Sequence, residues 1–189
     1  MREIQITEVE YNKLIQRLEF FDTMRNQLLI FSFTSVLTIL GVAIGININS
    51  TNVWVCLVPF LLIIPFAARI SYYRLASAHI NSFLKRFAQR DMQFELGTNI
   101  VIEGRCKHFK LIAWLVNHEM VLLGIATSCV FYFEYIVVVK NFIFWNYIIL
   151  IIPLIFNWII YIITDSTYSY KDLMNNFLSE WDKYINTIK

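Results

Sequence analysis

Four stretches of the chain are apolar with little or no interruption, and the charged residues gather between them. Leu28 to Ile46 reads LLIFSFTSVLTILGVAIGI, 19 residues without a charge. About 20 such residues, rising about 1.5 Å each in a helix, cross the ~30 Å hydrocarbon core of a bilayer. Val53 to Ala68 is shorter at 16 residues, and Ile70 completes it if Arg69 turns its charge back to the surface. Pro59 and Pro65 fall inside this block. Each removes a backbone donor, so a bent second helix is expected. The third block, Leu111 to Val139, is interrupted by His118, Glu119 and Glu134. Met120 to Phe133, between the glutamates, is only 14 residues, so the span takes in the neighbourhood of at least one of them. Phe142 to Ile163 is the fourth block, 22 residues without a charge. Trp145, Tyr147, Trp158 and Tyr161 lie toward its ends, as in an interfacial aromatic belt.

Outside these blocks the apolar positions recur at steps of three and four, the period of a helix with one greasy face. Tyr11, Leu14, Leu18, Phe21 and Leu28 form one such stripe, with Thr7 and Glu10 spaced as a capping box ahead of it. No proline or glycine interrupts the run before Gly41, so this helix is expected to continue into the first span. Tyr73, Ala76, Ile80, Phe83, Phe87 and Phe94 carry the second span onward in the same way. Residues 95–110 lose the period, with Gly97 and Gly104 around NIVIE and the basic run RCKHFK after it, and read as a loop. From Tyr168 a last stripe follows, Leu173, Phe177, Trp181, Tyr184 and Ile188, with Ser169 and Asp172 at its start.

The expected architecture is an all-α polytopic membrane protein of four transmembrane helices in two hairpins. A leading amphipathic helix (1–27) is continuous with the first hairpin (28–70). A helix and loop follow (71–110), then the second hairpin (111–164) and a C-terminal amphipathic helix (165–189). Lysine and arginine orient it. Fifteen of the 16 lie in segments 1–27, 69–110 or 165–189, and only Lys140 lies in the connection between the last two spans. The positive-inside rule then places both termini in the cytoplasm, and the expected location is a cell inner membrane, crossed in several passes. What remains outside is a short NINSTN turn and the turn around Lys140, too little to hold a large ligand.

Composition agrees with the pattern: 58% of residues are apolar and 16% charged, against about 45–50% and about 25% in soluble domains. A net charge of +2 gives no reason to expect direct nucleic-acid binding. Three cysteines, Cys56, Cys106 and Cys129, make no disulfide framework, and the charged leading segment does not read as a signal peptide.

Candidate chemistry is sparse. Arg69 ends the second span at the depth where Glu119 begins the charged interruption of the third, so a structural or gating ion pair between them is the expected contact. His118 beside Glu119 is a candidate pH-responsive or ion-path residue. Asn157 is the strongly polar group deep in the fourth span and is expected to bond across to another helix. Leu14, Leu18, Phe83, Phe87, Phe177 and Trp181 are the stripe residues expected at partner or subunit contacts. His118–Glu119 opens like the zinc motif HExxH, but position 122 is Leu122. With no GxSxG and no glycine-rich phosphate loop, neither a catalytic residue, a cofactor site nor a metal site is expected.

Length, two membrane hairpins, long cytoplasmic helical arms and an Ile-, Asn-, Phe- and Lys-rich composition give this chain an architecture that resembles the small four-span membrane subunits of bacterial antiviral defence systems. The membrane component of the Kiwa system and the membrane proteins that accompany some RNA-targeting CRISPR effectors are examples. The resemblance implies a homo-oligomer, such as a tetramer, that works in the lipid bilayer with a soluble cytoplasmic protein partner. The resulting expectation is a membrane sensor or scaffold, with a channel or pore-forming effector as the alternative and a small transporter as the third reading.

Overall fold

The computed structural model describes residues 6–45, 53–87, 109–138, 144–167 and 169–188, which form helices joined by short turns, with no strand among them. Helix α1 spans Glu8–Gly45, α2 Phe60–Phe87, α3 Phe109–Asn117, α4 Glu119–Val138, α5 Phe144–Asp165 and α6 Tyr170–Ile188, with a 3-10 helix at Val53–Leu57 ahead of α2. Four helical segments are long and apolar enough to cross a membrane: Glu8–Gly45, Val53–Phe87, Glu119–Val138 and Asn146–Asp165. A multi-pass membrane protein is compatible with this set.

Local chemistry explains where these elements begin. Thr7 Oγ1 accepts a hydrogen bond from the Glu10 amide at 3.3 Å, which satisfies one of the free donors at the start of α1. The helix then runs 38 residues without a break. In the second span the expected single bent helix is a 3-10 turn followed by an α-helix. Pro59 stands immediately before the first residue of α2, where its missing N–H is not needed, and its carbonyl accepts from Ile63 at 2.9 Å. Pro65 is carried inside α2.

The third apolar block is two helices, not one. Its membrane-length part starts at Glu119 rather than Leu111 and includes both Glu119 and Glu134. Asn117 ends α3, and the His118 carbonyl begins α4 by accepting from the Leu122 amide at 3.0 Å. The loop expected at 95–110 lies outside the described residues up to position 108, and Phe109 is already helical.

The chain divides into two compact units. One comprises residues 26–71 and 118–166. Its main core packs Val36 and Leu40 of α1, Phe60, Ile63, Ala67 and Ile70 of α2, Met120, Val121 and Leu123 of α4, and Ile160 of α5. A smaller cluster joins Ala43, Val53, Cys56, Phe131 and Tyr135. Polar links cross this core. Ser71 Oγ donates to the Ile163 carbonyl at 3.2 Å, Tyr132 OH to the Leu150 carbonyl at 2.9 Å, and Tyr135 OH to Asn146 Oδ1 at 3.1 Å. Where water is scarce, each such bond satisfies a group that would otherwise cost free energy.

The other unit comprises residues 1–25, 72–117 and 167–189, and its centre is the packing of α6 on the end of α2. Trp181 lies edge-on to Phe83 (5.0 Å) and Phe87 (6.1 Å), and is stacked on His79 (5.2 Å). Its indole N–H donates to Ser82 Oγ at 3.2 Å. Asn81 donates to Tyr170 OH, and Arg86 pairs with Asp182 at 2.7 Å. From α1, Phe21 stacks on Tyr73 at 5.6 Å.

Candidate functional site

Two places concentrate polar or exposed apolar groups, one in each unit. In the unit of residues 26–71 and 118–166, the site is built on His118. The residue stands between two helices, its side chain fully buried at 0% exposure. Its ring stacks on Tyr161 at 5.6 Å and 24°, and its Nε2 lies 3.7 Å from Asp165 Oδ1. That separation is longer than a hydrogen bond and within ion-pair range. Tyr161 and Asp165 are one turn apart on α5, so both present to the same neighbour. An imidazole facing a carboxylate at a helix end can relay a proton or hold two helices together.

The expected partners of this region are placed as follows. Glu119 is the first residue of α4, half-buried, and Arg69 is on the exposed side of α2, in the same unit. Neither is a free charge. Asn157 donates through Nδ2 to Ser128 Oγ of α4 at 2.6 Å and to the Pro153 carbonyl of its own helix at 2.9 Å. Gly124 makes that approach achievable, because a Cβ there would overlap Asn157 Oδ1 and lie 3.2 Å from Ile160 Cδ1. The buried Asn157 Oδ1 has no hydrogen-bond donor among the described residues, and it rests against the bare Gly124 backbone. Glu134 is half-buried on α4, whereas Lys140 lies outside the described residues, as do Cys106 and His108. Among the described residues, no group of three or more His, Cys, Asp or Glu side chains could hold a metal ion.

In the unit of residues 1–25, 72–117 and 167–189, Phe83, Phe87, Phe177 and Trp181 occupy one another's faces and that of His79 within the chain. Leu14 and Leu18 are half-buried on α1. Among the described residues, Arg17, Phe20, Phe21, Ala76, His79 and Ile80 line an apolar groove of about 380 Å³. Phe20 is 52% exposed and Val9, further out on α1, 66%.

Arg74 is a structural residue that the sequence pattern does not single out from its basic neighbours. It is buried to 9% exposure and donates to the Asn117 carbonyl at 3.0 Å and the Val116 carbonyl at 3.2 Å. A guanidinium fork on the last carbonyls of α3 ends that helix as a C-cap does. Asp165 is also missed by the pattern, although it is the first charge after the fourth apolar run. No protein-family model, curated protein or solved structure matches the chain.

Proposed function

We propose that this chain is a four-span inner-membrane subunit with both termini in the cytoplasm, a sensor or scaffold that assembles with copies of itself and recruits a soluble protein through its cytoplasmic helices. Bacterial antiviral defence is the setting that its architecture fits. The observation that carries the reading is the division of labour among the amphipathic stripes. Helix α6 spends its aromatic face on α2, while the start of α1 has no buried residue between Glu8 and Arg25, keeps Val9 exposed and lines a groove with the exposed Phe20. An apolar surface of that kind on an otherwise charged helix is suited to a partner.

Self-association has its own support in the first span. Thr34, Thr38, Gly41 and Gly45 share one face of α1, and all four are exposed. Both threonine hydroxyls bond back to their own helix, and a Cβ at either glycine would meet nothing within 4 Å. Small residues not needed inside the chain let a second helix approach closely. The test is the mass of the native complex in mild detergent together with its co-purifying proteins. A homo-oligomer with a stoichiometric soluble protein is expected; a lone monomer that retains nothing rejects the reading.

A channel or pore-forming effector is the second reading, favoured by the fully buried His118 facing Asp165 at the start of α4. Ion flux from liposomes carrying the purified protein, lost in His118→Ala, is its expected signature. Liposomes that stay tight reject it.

A further inference from the structure

The groove in the unit of residues 1–25, 72–117 and 167–189 has a chemistry that selects its occupant. Phe20, Phe21, Ala76 and Ile80 supply apolar walls, and Arg17 and His79 stand among them. Arg17 has no hydrogen-bond or ion-pair partner among the described residues. Of the carboxylates in this unit, Asp22 faces Arg25 at 3.7 Å and Asp182 faces Arg86 at 2.7 Å, and none faces Arg17 among the described residues. A permanent positive charge without a counter-charge among the described residues, beside apolar walls, complements an acidic group carried next to an apolar one.

Two other occupants fit less well. Along the uninterrupted α1, Arg17 stands 11 positions before Leu28, about 16 Å at 1.5 Å per residue. In the proposed orientation that is beyond a headgroup layer of roughly 5–8 Å, which leaves membrane lipid out of reach. A second copy packing this same face in the same bilayer would bring its own Lys13 and Arg17, one helical turn apart on that face, to the same depth, like charge against like.

Resting on the scaffold reading above, we propose that this groove receives an acidic amphipathic helix of the soluble partner, with a leucine- or phenylalanine-sized side chain against Phe20 and Ile80 and a carboxylate on Arg17. His79 gives the docked helix a way to be felt elsewhere, because its ring stacks directly on Trp181 of α6 at 5.2 Å.

The experiment uses the full-length protein in detergent and a fluorescein-labelled synthetic helix of leucine, alanine and glutamate with its leucines on one face. Saturable binding is expected, weakening as salt rises. Arg17→Glu is expected to weaken it about tenfold or more, and Phe20→Ala about fivefold. Both residues are exposed, so helicity by circular dichroism should be unchanged. Equal binding of the lysine-for-glutamate helix, or binding indifferent to both substitutions, overturns the proposal. So does oleate that binds with the same dependence and displaces the helix, which would make the occupant a lipid-derived anion. Self-association lost in Phe20→Ala overturns it in favour of a second copy. Retention of a co-purifying soluble protein by both variants rejects the groove and leaves the scaffold reading intact, whereas absence of any such protein from the wild type rejects the scaffold itself.

Discussion

Gly124 and Asn157 are best understood as one contact. The glycine is small because the amide needs the room, and the amide reaches Ser128 because the glycine lets α5 come close. Gly124→Ala is therefore expected to force the helices apart, at the cost typical of overpacking, about 1–3 kcal/mol. A lowered midpoint in detergent thermal unfolding is the readout, and Asn157→Ala in the same chain should recover part of the loss. Arg74 is the second residue whose role is geometric. Its fork on the Val116 and Asn117 carbonyls consists of two charge-assisted bonds at a nearly buried site. Arg74→Ala should destabilise by about 1.5–3 kcal/mol, and Arg74→Lys, which lacks the planar fork, should recover only part of that. For Arg69 and Glu119 a double-mutant cycle is decisive. An ion pair predicts that the two alanine substitutions together cost no more than either alone, and additive costs would count against it.

At the scale of elements, the third apolar block shows what periodicity cannot see. From Leu111 onward the residues are apolar enough to continue one helix, yet the chain ends α3 at Asn117 and begins α4 at Glu119. At the break, the Val116 carbonyl accepts from Arg74, which lies 42 positions earlier in the chain. The start of α1 was legible because its signal is local: a threonine hydroxyl three residues from the amide it caps. The stripe on α6 was equally plain, but its partner was not. Trp181 finds Ser82 some 99 positions away. Trp181→Ala is expected to release α6, at a cost of about 2 kcal/mol or more, since a large half-buried aromatic leaves a void between helices. Hydrogen exchange should then quicken across Tyr170–Ile188 while Glu119–Val138 keeps its protection.

At the scale of the whole molecule, the distribution of lysine and arginine makes the strongest prediction. Tags at both termini should be protected from protease in intact cells and digested only after the inner membrane is opened. Digestion of either tag with that membrane sealed would overturn the orientation. Four apolar blocks, the helical class and the basic segments between the blocks were all determined by the sequence itself. The reason is that transfer of apolar side chains out of water and the backbone's need for internal hydrogen bonds in lipid act on each stretch independently of its neighbours. Which helix ends where, which aromatic meets which, and that His118 faces Tyr161 and Asp165 while Arg74 closes α3, were decided only by tertiary structure. Those contacts join residues about 40 to 100 positions apart. Their geometry depends on how helices pack, which no local run of residues specifies.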